Sequence, residues 1–121
     1  GWAALILASM EGHESIVRAL LEAGADKKAK TDSGRTALMN ASAGGHESCV
    51  RALIEAGADK DAKDNDGKTA LMAASAGGHE SCVRALLEAG ADKDAEDNNG
   101  EKALRYASMR GHDAIVTLLG G

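Results

Sequence analysis

The chain has 121 residues, of which 44% are apolar, with one Trp, one Tyr and neither Phe nor Pro. An interior so poor in aromatic rings is built from Ala, Leu, Val, Ile and Met, which suits small helices that approach one another closely. The formal net charge of -5 disfavours nucleic-acid partners, because these require a basic face. No apolar run reaches the roughly 18 residues of a membrane span, and no signal-peptide pattern opens the chain. We therefore expect an intracellular, cytoplasmic protein without membrane insertion.

The sequence repeats itself with a period of 33 residues, and glycine, histidine and valine positions recur in that frame. The recurrent histidines are His13, His46, His79 and His112. The frame predicts a single domain, 1–121, with copies at 1–30, 31–63, 64–96 and 97–121, of which the first and last are partial. The repeat unit is therefore the feature from which the fold is predicted.

The second copy shows the predicted elements of the unit in chain order. Thr36 is placed to cap a short helix that ends at a Gly-Gly pair, Gly44 and Gly45. A second helix follows over residues 46–56, and the next glycine is placed to end it in the left-handed conformation. The segment 59–67 is polar and rich in turn residues. Helices this short are marginal alone, so the copies are expected to stack on one another.

The period, together with GxTxL, AxxxGH, LLxxGAD and the polar segment, resembles ankyrin repeats over essentially the whole chain. The resemblance implies an all-α solenoid of helix-turn-helix units with β-turn fingers, whose concave side and finger tips bind partner proteins. The family's TPLH is TALM in the middle copies and KALR at Lys102 to Arg105. We expect the stack to survive these changes, and the rigidity of the turn to be the property that they affect.

One stretch, SAGGHESCVRAL, occurs at 42–53 and again at 75–86, and contains four reactive residue types in a row. A zinc hydrolase of the HExxH kind needs a second histidine four residues on, which His46 lacks. Adjacent His, Glu and Ser point in different directions around a helix, so they do not assemble a catalytic triad. We expect no catalytic residues, no metal and no cofactor, and thus a protein that is not an enzyme.

Structural roles account for the same residues of SAGGHESCVRAL. The resemblance implies that the histidine joins its turn to neighbouring backbone. Glu47 lies in the first turn of its helix and four residues before Arg51, the favourable order for an ion pair. Cys49 and Cys82 take the position that Ile16 and Ile115 hold in the outer copies, so they are expected to be buried, free and inert thiols.

Binding information is expected at positions that differ between copies, on the fingers and on the inner helices. The candidate partner-binding residues are Trp2, Met10, Glu11, Asp32, Ser33, Arg35, Asn65, Asp66, Lys68, Asn98, Asn99, Glu101, Arg105, Tyr106, Met109 and Arg110. The net charge falls from +2 over 26–35 to -1 over 59–68 and -4 over 92–101. This gradient is either a means of steering a partner or drifted turn chemistry, and reversing Asp97 and Glu101 to Lys would distinguish the two.

The ends of the chain carry apolar residues where a closed stack would be polar, including Ile6, Leu7 and Leu118. We expect either a piece of a longer array or ends covered by another subunit, for example by end-to-end self-association. The sequence thus predicts a non-catalytic protein-protein interaction module. The alternative is a structural subunit or designed scaffold or spacer with no dedicated ligand, which the near-identity of the middle copies favours.

Overall fold

The structure is a computed structural model that describes residues 2–120, with Trp2 described in its backbone alone. The helices in this range are α1 (Trp2–Glu11), α2 (Glu14–Glu22), α3 (Ala37–Gly44), α4 (Glu47–Glu55), α5 (Ala70–Gly77), α6 (Glu80–Glu88), α7 (Ala103–Met109) and α8 (Asp113–Leu118). The odd-numbered helices pack side by side in an inner row and the even-numbered ones in an outer row, and each inner helix packs on the outer helix that follows it. This stack of helix pairs confirms the predicted solenoid.

The local signals of the second copy act as predicted. The Thr36 hydroxyl accepts a hydrogen bond of 3.3 Å from the Met39 amide and so caps α3. Gly45 ends α3 in the left-handed conformation with φ 75°, and Gly57 does the same after α4 with φ 92°. The third copy repeats the cap at Thr69.

The core is a row of aliphatic side chains that recur from copy to copy. The largest fully buried ones are Leu5, Leu38, Met39, Leu53, Leu71, Met72, Leu86, Ile115, Val17, Val50, Val83 and Cys49. Cys49 and Cys82 are both 0% exposed and free, as predicted. At the same repeat position Ile115 is buried. Ile16 is 50% exposed because its side of the first helix pair packs against no other copy among the described residues. Burial at this position therefore depends on a neighbouring copy.

The repeated histidines join one copy to the preceding copy. Nε2 of His46 donates to the Met10 carbonyl at 3.0 Å, and Nε2 of His79 donates to the Ala43 carbonyl at 3.0 Å. His112 repeats the contact at 3.2 Å. Because a carbonyl only accepts, Nε2 carries the proton in each ring. The predicted link between the histidine and neighbouring backbone is confirmed.

Arginines on the outer helices add a second link that the sequence reasoning missed. Arg51 pairs with Glu47 at 2.8 Å, as its spacing predicts. It also reaches Glu88 of the next copy at 3.2 Å. Arg18 makes the equivalent pairs one copy earlier. The separation of 37 residues, one period plus one helical turn, is the signal that would have found these pairs.

The last copy departs from this pattern. Lys102 stands at the N-cap of α7 without a side-chain cap, and the Arg105 amide bonds to the Lys102 carbonyl at 3.0 Å instead. Helix α7 has 7 residues, whereas α3 and α5 have 8. Helix α8 has 6 residues, compared with 9 in α4 and α6. The stack survives the KALR substitution, but the first helix of this copy begins without its cap.

Candidate functional site

A hollow of about 300 Å³ lies against the inner helices α3, α5 and α7 and the last residues of the first two fingers. The fingers are the turns at residues 31–35, 64–68 and 97–101. We call the hollow the inner groove; its lining residues are Arg35, Ala43, Lys68, Met72, Ala73, Ala76, Gly77, Tyr106 and Arg110. Small side chains form most of the floor of the groove, and long polar side chains form its walls. Four of the predicted candidates therefore meet here, although they come from three different copies.

Tyr106 lines one side of the inner groove, and a hydrogen bond from its hydroxyl fixes its position. Its hydroxyl donates to the carboxylate of Asp97, which is only 7% exposed. That carboxylate also accepts the main-chain amides of Glu101 and Asn99, at 3.0 and 2.8 Å. The tyrosine bond and these amides hold the pKa of Asp97 below its usual value. Burial, followed by the Asp97 bond, raises the pKa of Tyr106 to about 12, so the ring stays neutral and fixed.

Arg35 is oriented along the start of α3. Its Nε donates to Oδ1 of Asn40 at 2.8 Å, and its Nη1 lies 3.5 Å from Oδ2 of Asp64. The Asp64 side chain is 6% exposed and accepts the amides of Asp66 and Lys68 at 2.9 Å each. The charge of Arg35 is thus partly balanced, and its side chain is positioned by Asn40 of its own copy and Asp64 of the next copy.

Lys68 and Arg110 are the less restrained cations of the inner groove. The Lys68 ammonium lies 5.9 Å from the centroid of the Tyr106 ring, within the range of a cation–π contact. Arg110 is exposed. Over residues 2–120, the side chains of Lys68 and Arg110 form no ion pair and no hydrogen bond. Because the nearby carboxylates of Asp64 and Asp97 are buried against backbone amides, the surface that the groove presents is positive.

The family model for ankyrin repeats (3 copies) matches residues 1–64 and again residues 56–120. Together these matches cover nearly the whole chain. The chain belongs to the ankyrin-repeat family. Ankyrin repeats are in general protein-interaction modules, and they are typically non-catalytic. A comparison with curated proteins gives no match.

Hydrogen bonds from asparagine side chains join neighbouring ankyrin fingers. Nδ2 of Asn65 donates to the Asp32 carbonyl at 2.9 Å, and Nδ2 of Asn98 donates to the Asn65 carbonyl at 3.0 Å. The main-chain amides of the same asparagines bond to the carbonyls of Ser33 and Asp66. Asn65 and Asn98 therefore support the finger row, and a further contact with a partner stays a prediction.

Asp97 requires a correction to the finger-charge hypothesis. Sequence reasoning treated it as part of the acidic third finger, suitable for charge reversal, but the structure buries it under Tyr106. A lysine there would lose three donors to the carboxylate. The gradient is better tested at exposed acids of the same segment, such as Asp94 and Glu96.

The remaining candidates lie away from the inner groove. Glu101 pairs with Arg105 at 3.3 Å, and both line a separate hollow of about 340 Å³ beside α7. Met109 is 66% exposed and Met10 49%. Glu11 lies 3.5 Å from His13, and Asn99 is exposed at the third finger. The Trp2 side chain is outside the described residues. The structure thus divides the predicted set among the groove, the fingers and the two ends.

A larger hollow, of about 660 Å³, lies between the loops that follow α2 and α4. It is rich in lysine, namely Lys27, Lys28, Lys30, Lys60 and Lys63. Two of these already bond to backbone of the next copy, since Nζ of Lys30 donates to the Lys63 carbonyl and Nζ of Lys63 to the Glu96 carbonyl. Lys30 and Lys63 thus serve the stacking of the loops, and the residues that line the hollow include no aromatic side chain.

The cysteines are poorly suited to nucleophilic chemistry. Burial raises the pKa of the Cys82 thiol to about 11 and that of the Cys49 thiol above its usual value. Within the described residues, no group of three or more His, Cys, Asp or Glu side chains is arranged to hold a metal ion. Over the same part of the chain, no helix combines the length and apolarity needed to cross a membrane.

Proposed function

We propose that this ankyrin-repeat protein is a non-catalytic interaction module whose partner protein contacts the inner groove and the finger tips. The observation that supports the proposal is the convergence of Arg35, Lys68, Tyr106 and Arg110 on one hollow. Tyrosine and arginine are the residue types that dominate binding energy at protein interfaces.

The stack does not need Tyr106 and Arg110. Tyr106 aligns with Asn40 and Ala73, and Arg110 aligns with Gly44 and Gly77, so the middle copies fold with smaller side chains at the same positions. A large or charged residue that stacking does not use is available for contact with a partner. We place the protein inside the cell, because its buried cysteines are free thiols.

The proposal is tested by selecting binders from a random-peptide display library on the full chain. Ala73→Leu fills the floor of the groove, and the fold accepts leucine there because Leu7 holds the same repeat position. Selected peptides should lose at least about tenfold in affinity for this variant. Ser81→Leu adds the same kind of bulk on the exposed side of α6 and should leave the affinity unchanged. Binders that ignore Ala73→Leu, or no binders, would count against an interaction site in the groove.

A structural scaffold that stacks end to end is the second candidate. It is argued from Ile16, which is 50% exposed at a position that is buried in the other copies. Self-stacking predicts a molar mass that rises with concentration in sedimentation equilibrium, and Ile16→Glu should abolish the rise. A monomer at all concentrations would set this candidate aside.

A further inference from the structure

The inner groove is a positive site on an acidic protein. It presents Arg35, Lys68 and Arg110, whereas the chain carries a net charge of -5. The carboxylates close to it, Asp64 and Asp97, are occupied by main-chain amides and by the groove's own residues. A ligand entering the groove therefore meets cations first.

The same groove is apolar along its floor. Ala73 and Ala76 line it together with Met72. The Tyr106 hydroxyl is already committed to Asp97, so the tyrosine offers its ring face and not a free donor. Apolar side chains of a ligand would lie on this floor, while charged side chains would reach the rim.

The polarity of the groove suits an extended ligand, because its floor is apolar and its rim is cationic. An extended chain alternates its side chains between two faces. It can thus place apolar residues on the floor and acidic residues toward Lys68 and Arg110.

We infer, resting on the proposed function, that the partner presents an extended acidic segment with interspersed apolar residues to the inner groove. Its carboxylates pair with Arg110 and Lys68, and its apolar side chains pack on Ala73 and against Tyr106. A nucleic acid is disfavoured because the groove presents three cations, Arg35, Lys68 and Arg110, and the first of them is already paired with Asp64. Phosphate recognition needs a broader basic surface than this one.

The display selection described above also tests this inference, through the composition of the enriched peptides. We expect enrichment in Asp and Glu at alternate positions. A selected peptide, labelled with a dye, should bind Arg110→Glu and Lys68→Gln at least about tenfold more weakly by fluorescence anisotropy. Its affinity for the wild-type chain should fall as salt rises. Lys28→Glu makes the same charge change as Arg110→Glu on an exposed loop outside the groove, and it should have little effect.

The outcomes separate the two proposals. Peptides that are neutral or basic, yet are lost in Ala73→Leu, would overturn the acidic class and leave the groove as the interaction site. Peptides unaffected by Ala73→Leu would overturn both. Equal losses in Arg110→Glu and Lys28→Glu would show that net charge alone drives binding, which also overturns the inference. Tighter binding of a single-stranded oligonucleotide than of the peptides, lost in Arg110→Glu, would assign the groove to nucleic acid and overturn it as well. Circular dichroism of each variant establishes that the helices are intact.

Discussion

The middle copies and the last copy share one architecture but use it differently. In the middle copies, threonine caps each inner helix, and a histidine of the following copy bonds to the backbone behind it. In the last copy the cap is lost, the helices are shorter, and Tyr106 and Arg110 replace Ala73 and Gly77 of the third copy. The positions that stacking does not use are therefore the positions at which we propose recognition.

This difference teaches where to look for function in a repeat array. Uniform copies report the requirements of stacking, because every copy meets the same neighbours. Positions that differ between copies, such as those of Tyr106 and Arg110, are not set by stacking alone. Variants in a middle copy can be compared with their counterparts in the last copy.

The largest contrast is expected between Gly45→Ala and Gly111→Ala. Both glycines are left-handed, with φ of 75° and 73°, so each alanine costs about 1–2 kcal/mol in backbone strain. At Gly45 the new Cβ would lie 2.5 Å from Nδ1 of His79, whereas nothing lies within 4 Å at Gly111. Gly45→Ala therefore also displaces the His79 bond, for a further loss of about 1 kcal/mol. Urea denaturation measures both free energies of unfolding, and equal losses would contradict the role of the histidine.

Helix capping should give an intermediate contrast. Thr69→Ala removes the cap on α5 and should lower the free energy of unfolding by about 1 kcal/mol. Lys102→Thr installs a cap on α7 and should raise it by up to about the same amount, since the Lys102 pair with Asp94 is long, at 3.9 Å, and exposed. Thermal denaturation of both variants is the measurement. A Lys102→Thr protein with a lower melting temperature than the wild type would contradict the interpretation that α7 lacks only its cap.

A buried hydroxyl group should give a smaller contrast, in which the variant in the middle copy gains stability and does not lose it. Oγ of Ser75 is buried and has no hydrogen-bond partner among the described residues, whereas Ser108, at the same repeat position, is exposed. Ser75→Ala should raise the free energy of unfolding by about 0.5–1 kcal/mol, because an unpaired polar group leaves the core. Ser108→Ala should change it by less than about 0.5 kcal/mol. A destabilised Ser75→Ala variant would indicate a hydrogen bond that the structure does not contain.

The smallest effect concerns one protonation equilibrium. Tyr106 is the only tyrosine, so tyrosinate absorbance follows it alone. Its pKa of about 12 lies above the usual 10.0, which means that its contribution to stability is complete below pH 10 and is lost as the pH rises through 12. In Asp97→Asn the pKa should fall but stay above 10.0, because burial is the larger cause. An unchanged titration in this variant would contradict the Tyr106–Asp97 bond.

Much of the fold is predictable because stacking signals are local. Thr36, Gly45 and Gly57 mark helix ends through their own backbone and side-chain chemistry, and each one acts as the sequence predicts. The burial of Cys49 follows from its alignment with apolar residues at the same position of the outer copies. A periodic sequence supplies such comparisons within a single chain.

The groove is less predictable because it is assembled across copies. Composition differences identified Arg35, Lys68, Tyr106 and Arg110 separately, but nothing in their spacing states that they share one hollow. The Tyr106–Asp97 bond was also missed, since it joins a helix to the finger that precedes it. Asp97 was consequently read as a surface charge. Contacts that depend on the shape of the finger require the structure.

The central claim is that a partner segment lies in the inner groove and not on the outer helices. The most direct measurement is paramagnetic broadening of amide signals by a selected peptide that carries a spin label. We predict that the amides of Ala73, Ala76 and Arg110 broaden, while those of Arg84 and Glu88 on α6 keep their intensity. Broadening confined to α6, with the groove signals unchanged, would contradict the claim.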